Sequence, residues 1–193
     1  MAGDKMKTIA FITRVHPGRP NMLKECVESV KAQTSDDYVH ILHRDDNTDS
    51  GYGVPMANIS LMKIKSIDAR YAMILDDDDM LVDQDFVDLF AKVTEKDAPE
   101  MVFFKGEIMD RGIYPREWRW GRGPLCGSIA SFCFAVRRDV WEKYIHMFKQ
   151  RPAGDFSFVS HCYEMTEDHL WLDRIVARTQ KRAGRGKGEE DHA

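Results

Sequence analysis

The most informative stretch of this sequence reads Tyr71-Ala72-Met73-Ile74-Leu75-Asp76-Asp77-Asp78-Asp79, in which an apolar run is followed at once by four carboxylates. A short apolar run bounded by polar residues is typical of a strand buried inside a sheet. Four consecutive acidic side chains cannot remain in such a sheet, so we expect the chain to turn at Asp76. The stretch therefore predicts a buried strand that ends in a loop of aspartates.

Segments with strand-like and helix-like patterns alternate on both sides of this stretch. Apolar, β-rich runs predict strands, and apolar residues that recur every three or four positions predict helices. The predicted strands are 8–13, 38–43, 71–75, 101–104 and 129–136, and the predicted helices begin at Pro20, Ala57, Asp83, Asp139 and Thr166. This alternation predicts an α/β fold with a mostly parallel central sheet and helices on both faces. The loops at the carboxyl ends of its strands would lie at one edge and bind the ligand.

Length and composition predict one domain. The chain has 193 residues, of which 43% are hydrophobic, and this suffices for a single core. We expect one domain over 1–180, made of an N-terminal half at 7–104 and a C-terminal half at 105–180. The polar residues 181–193 predict a disordered tail.

Charge, hydropathy and cysteine content exclude several classes of protein. Lys and Arg number 28 against 32 Asp and Glu, and this net charge of −4 argues against binding to nucleic acid. The apolar runs are far shorter than the roughly 20 residues of a membrane-spanning helix, and the N-terminus lacks a signal-peptide pattern. The four cysteines are widely spaced without a C-x-x-C pair, which favours free thiols over disulfides or a zinc site. We therefore expect a cytoplasmic protein with no transmembrane segment.

The four aspartates carry the strongest chemical signal. Two carboxylates about 4 Å apart repel by roughly 1 kcal/mol in water and by more where they are partly buried. A hard divalent cation such as Mg²⁺ or Mn²⁺ relieves this repulsion and prefers oxygen ligands. On an extended backbone Asp76 and Asp78 point to one face, so both are candidate metal ligands. The alternative is a solvated acidic loop that caps the next helix.

Asp45 and Asp46 end the neighbouring predicted strand. In a parallel sheet they would face the same crevice as the four aspartates. The alternative is that they only form a turn, which is where aspartates are common.

Asp168 is a candidate general base. We expect it in the first turn of a last helix over 166–178, where it would share a face with Trp171 and Leu172. A carboxylate held at the rim of the core near a metal site can accept a proton from a reacting group. The alternative is an acidic residue that only favours the start of a helix through its charge.

Taken in order, these motifs resemble those of family 2 glycosyltransferases, which have the GT-A nucleotide-diphospho-sugar transferase fold. The resemblance covers roughly residues 7–178. The segments that carry it are Arg19-Pro20 with the helix that continues to Thr34, Asp45-Asp46-Asn47-Thr48-Asp49, Ala57-Asn58, Ile74-Leu75-Asp76-Asp77-Asp78-Asp79, and Glu167-Asp168-His169-Leu170-Trp171.

The resemblance implies an inverting, metal-dependent transfer of a hexosyltransferase type, from a nucleotide-diphospho-sugar donor to an acceptor hydroxyl. It implies a nucleotide-binding role for residues 7–104 and an acceptor and catalytic role for 105–180. The residues implied to bind the nucleotide are Thr13, Arg14, Asp45, Asp46, Asp76 and Asp77. Asp78, with Asp76, would bind Mn²⁺ or Mg²⁺, and Asp168 would take the proton from the acceptor.

Two other functions are compatible with the same residues. A nucleotidyltransferase could use a similar sheet and metal-binding aspartates, but the sequence after the first strand lacks a glycine-rich phosphate loop. A noncatalytic module could bind a nucleotide sugar without turning it over, and the short C-terminal half favours that alternative.

Overall fold

The computed structural model describes residues 6–44, 61–148 and 154–180. Within these ranges the chain forms eight strands and four α-helices. The strands are β1 (Lys7–Val15), β2 (Tyr38–Arg44), β3 (Ala69–Ile74), β4 (Asp79–Leu81), β5 (Met101–Ile108), β6 (Gly112–Tyr114), β7 (Phe134–Arg137) and β8 (His169–Thr179). The helices are α1 (Pro20–Lys31), α2 (Phe86–Thr94), α3 (Arg138–Tyr144) and α4 (Gly154–Glu164).

The strands form one sheet in the order β2-β1-β3-β7-β5-β8-β4, with β6 paired to β5. Strand β1 is parallel to β2 and β3, and β5 is parallel to β8, whereas β7, β6 and β4 pair antiparallel with their neighbours. The predicted α/β class is confirmed, but the sheet is mixed and not mostly parallel. One physical reason is that β5 and β6 are joined by a three-residue turn, which is too short for the crossover that a parallel pair requires.

Helices cover both faces of the sheet, as predicted. Successive β1 residues point to opposite faces, so Ile9 and Phe11 join one core cluster while Ala10 and Ile12 join the other. Helices α1 and α2 supply the first cluster, and α3 and α4 supply the second. Both clusters consist of fully or nearly fully buried side chains, and this burial is the main favourable contribution to folding.

The prediction of a last helix over 166–178 is wrong, because residues 169–179 form strand β8. Leu170 and Leu172 pack against one core cluster and Trp171 packs against the other, which is the alternation of a strand. Pairing with β5 on one side and β4 on the other outweighs the local helical pattern. Helix α4, which was not among the predicted helices, lies just before this strand.

Some predictions lie outside the described residues. They are the turn at 45–49, most of the helix expected from Ala57, and the disordered tail at 181–193. In the part of the chain that is described, every helix is too short or too polar to cross a bilayer.

Candidate functional site

The aspartate run lies at the carboxyl edge of the sheet, as predicted. Strand β3 ends at Ile74, and the Leu75 amide donates to the Ile12 carbonyl of β1 at 3.0 Å, so the ends of these strands lie side by side. The chain then turns sharply, since the Asp79 amide donates to the Asp76 carbonyl at 2.9 Å and β4 begins at Asp79. Residues 76–79 therefore form a tight turn between β3 and β4.

Three of the four carboxylates converge. Asp76, Asp78 and Asp79 each offer an oxygen, and these oxygens lie within 4.8 Å of one another. Burial raises the pKa of Asp79 well above its ordinary value, and the neighbouring Asp78 and Asp76 carboxylates raise it further. Burial likewise raises the pKa of Asp78, although Arg19 opposes this effect. Three convergent carboxylate oxygens fit Mg²⁺ or Mn²⁺, because a divalent cation prefers oxygen ligands and compensates the negative charge that Asp78 and Asp79 carry when ionised.

Two arginines pair with this cluster. Arg14, near the end of β1, donates through Nε to Asp76 Oδ1 at 2.6 Å and through Nη2 to Asp76 Oδ2. Arg19, directly before α1, lies with its Nη1 2.8 Å from Asp78 Oδ2 and 3.0 Å from Asp77 Oδ1. Burial opposes the charge on each guanidinium, but the surrounding carboxylates raise the pKa of both arginines, so both remain cationic.

Asp77 differs from its three neighbours. Its side chain is buried, its Oδ2 accepts from the His16 amide and its Oδ1 accepts from Arg19. Burial raises the pKa of Asp77 to about 7, in spite of these donors. The structure thus directs this carboxylate toward the loop between β1 and α1 and away from the convergent oxygens.

Thr13 lies at the same edge, but its hydroxyl is fully buried. Its Oγ1 donates to the Leu75 carbonyl at 2.7 Å and lies 2.8 Å from His40 Nε2. These contacts join β1 to β3 and to β2. The Thr13 side chain therefore holds the three strand ends in register beneath the aspartates.

We expect acid to destabilise the fold through His40. Burial, assisted by Lys31, lowers the pKa of His40 to about 4. The unfolded chain binds a proton near pH 6.5 and the folded chain does not, so stability falls as pH decreases from 6.5 toward 4, by about 2 kcal/mol between pH 7 and pH 5. Denaturant unfolding at both values measures the loss. His40→Gln should remove this part of the pH dependence, and an unchanged dependence would contradict the prediction.

Asp168 lies at the opposite end of the sheet from the aspartate run. The neighbouring His169 pairs with Met101, and through β7 this register level corresponds to Ala72 within β3, four residues before Asp76. At about 3.3 Å per residue, Asp168 is therefore roughly 16 Å from the level of Asp76 along the strands. The expectation that it stands on a helix near the metal site is wrong. Its backbone carbonyl instead accepts hydrogen bonds from the Glu100 and Met101 amides.

A different carboxylate acts on Arg14, the partner of Asp76. Asp155 is in the first turn of α4, and its charge contributes, after that of Asp76, to raising the pKa of Arg14. Its local signal was present in the sequence: Phe158, Val159 and Cys162 follow it with helical spacing, and all three are buried. Asp155 was not a predicted site residue, because the late acidic motif was assigned to 167–168. Asp45 and Asp46 lie outside the described residues.

Comparisons with known proteins identify the fold. No family model matches the chain, and no curated protein matches its sequence. Among solved structures, S. aureus TarS 1-349 in complex with UDP-GlcNAc matches with a TM-score of 0.69 and 13% identity, over 93% of this chain. This chain spans 60% of that TarS chain.

Two further solved structures share the fold. A mannosyltransferase from Pyrobaculum calidifontis, PcManGT, in complex with GDP-Man and Mn²⁺, has a TM-score of 0.61 and 13% identity, over 91% of this chain and 58% of its own. A glycosyltransferase involved in glycosylation of the major capsid of PBCV-1 has a TM-score of 0.59 and 10% identity, over 92% of this chain and 95% of its own. The chain thus has a GT-A-like glycosyltransferase fold, in agreement with the sequence motifs.

Proposed function

We propose that this protein is a metal-dependent glycosyltransferase that moves a sugar from a nucleotide-diphospho-sugar to an acceptor hydroxyl. One observation carries the proposal: the oxygens of Asp76, Asp78 and Asp79 converge within 4.8 Å at the carboxyl edge of the sheet. In open α/β sheets this edge is where ligands bind. Solved structures with the same fold contain UDP-GlcNAc, or GDP-Man with Mn²⁺.

The charges at this edge suit a nucleoside diphosphate. Asp76 and Asp78, together with Asp79, would hold Mn²⁺ or Mg²⁺, and the bound cation would stabilise the charge of the departing diphosphate. Arg14 and Arg19 lie against the same carboxylates, and guanidinium groups bind phosphate as readily as carboxylate. These residues would bind and orient the diphosphate of the donor.

We assign the role of general base in an inverting transfer to Asp155 and not to Asp168. A base must come within hydrogen-bond reach of the acceptor hydroxyl, directly or through one water molecule. The charge of Asp155 acts on Arg14, which contacts Asp76, and this supports a position beside the donor site. Asp155 would accept the hydroxyl proton as the acceptor oxygen attacks the anomeric carbon.

Thermal unfolding with nucleoside diphosphates tests the donor site. We expect UDP or GDP to stabilise the protein with Mn²⁺ present, by about 2.7 kcal/mol at 100 times the Kd, and we expect EDTA to remove this effect. Asp78→Asn should lose the metal-dependent part. Asp168→Asn is the matched control and should retain it, because its carboxylate lies at the other end of the sheet.

The absence of stabilisation by either nucleotide would contradict the proposal. If a nucleotide does stabilise the protein, turnover distinguishes the three candidate functions. A glycosyltransferase releases nucleoside diphosphate from the sugar nucleotide, a nucleotidyltransferase releases pyrophosphate from a nucleoside triphosphate, and a binding module releases neither.

A further inference from the structure

Two carboxylates of the candidate metal site already form ion pairs with arginine side chains of the protein. Both carboxylate oxygens of Asp76 accept hydrogen bonds from Arg14, and one oxygen of Asp78 contacts Arg19. Two of the three convergent carboxylates are therefore held by guanidinium groups. A cation that used the same oxygens would meet these positive charges at close range, and like charges at such distances repel strongly.

The two arginines are held differently. Arg19 lies between Asp77 and Asp78, and its side chain is only 6% exposed. Its second partner, Asp77, is anchored by the His16 amide, so Arg19 has an acidic partner even when Asp78 is occupied. Arg14 is 12% exposed and engages both carboxylate oxygens of Asp76, itself 17% exposed. Arg14 is therefore the guanidinium that competes most directly with a cation for its oxygens.

We propose that Arg14 is an exchangeable counter-ion: it closes the metal site while the donor is absent and transfers from Asp76 to the diphosphate when metal and donor bind. This inference rests on the proposed function. A guanidinium forms paired hydrogen bonds with a carboxylate and with a phosphate alike, so the exchange replaces one such partner by another.

This exchange couples the two ligands. Metal alone must displace Arg14 from Asp76 without supplying a new anion in exchange, so binding of metal alone is weak. The diphosphate supplies that anion, and each ligand then increases the affinity for the other by the same factor. The metal would therefore bind together with the donor, and it would dissociate together with the diphosphate.

Mn²⁺ binding to the full chain tests the inference, with free Mn²⁺ counted by electron paramagnetic resonance. Arg14→Gln should bind Mn²⁺ alone about tenfold more tightly than the wild type. UDP or GDP should tighten Mn²⁺ binding about tenfold or more in the wild type and much less in Arg14→Gln. Arg14→Lys restores the positive charge and should return Mn²⁺ affinity toward the wild-type value.

Arg174→Gln is the matched control. Arg174 also forms a two-bond pair with an aspartate, Asp83, at 2.6 and 3.1 Å, but that pair is not part of the convergent cluster. Its loss should leave Mn²⁺ affinity unchanged. Equal or weaker Mn²⁺ binding in Arg14→Gln than in the wild type would overturn the inference.

A measurement on the wild type does not depend on how the variants fold. Mg²⁺ together with UDP or GDP should shift the Nε–H resonance of Arg14, while Mg²⁺ alone should leave it in place. A resonance that stays unchanged although nucleotide and metal bind would overturn the exchange and leave the proposed function intact. Failure of every nucleotide to bind would instead overturn the proposed function.

Discussion

Asp155→Asn is expected to lower kcat for sugar transfer by about 10²- to 10⁴-fold, the usual contribution of a positioned general base. Asparagine has nearly the same shape as aspartate but does not accept the proton of the acceptor hydroxyl. The residue lies in the first turn of α4 with an Oδ1 that accepts the Phe156 amide at 2.9 Å, and an asparagine oxygen can accept the same bond. Steady-state kinetics with Mn²⁺ and a sugar nucleotide measure the loss, and nucleoside diphosphate binding should persist.

Asp168→Asn is the control that separates the two candidate bases. Asp168 lies at the far end of the sheet, out of hydrogen-bond reach of the proposed donor site, so its substitution should leave kcat within about twofold. Loss of turnover in Asp168→Asn, with Asp155→Asn active, would restore the assignment made from the sequence motif. Binding without turnover in the wild type would favour the noncatalytic module.

The parts of the fold that were predicted correctly depend on local patterns. Strands β1 and β3 are buried on both faces and read as continuous apolar runs, while α1 and α2 show regular helical spacing. The end of β3 is equally clear, because an apolar run gives way to four aspartates within one residue. Local sequence alone therefore assigns Asp76 and Asp78 to the correct edge of the sheet.

The features that were missed depend on contacts between distant parts of the chain. Strand β8 pairs with β5 and β4, which lie about 70 and 100 residues earlier in the chain. A local sequence pattern does not indicate partners at such separations. The pairs that Arg14 and Arg19 form with the aspartates span about 60 residues. The sequence pattern predicted a helix over 166–178 with Asp168 in its first turn, whereas Asp168 directly precedes strand β8.

At about pH 9, where the Asp77 carboxyl is ionised in the wild type, Arg19→Ala is expected to destabilise the fold by about 3–5 kcal/mol, the usual result when one member of a buried ion pair is removed. Asp77 is only 1% exposed and would lose Arg19, its charged partner, while it retains the His16 amide. Asp78 would lose its contact with the same guanidinium. Denaturant unfolding measures the change, and Arg138→Ala is the control, since the Arg138 pair with Glu142 is partly exposed and should contribute far less.

A second substitution tests the cause of this loss. If the unpaired carboxylate of Asp77 is responsible, Asp77→Asn in the Arg19→Ala background should recover part of the stability, because a neutral amide loses less free energy on burial than a carboxylate. Asp77→Asn alone completes the double-mutant cycle, and the free-energy change of the double variant minus the sum of the two single changes gives the coupling between the side chains, typically about 0.5–3 kcal/mol for residues in contact. A double variant no more stable than Arg19→Ala would contradict the electrostatic explanation and assign the loss to packing of the Arg19 stem. The size of the coupling therefore shows how much of the free energy of unfolding depends on the charge of Arg19 balancing that of Asp77 in the turn of four aspartates.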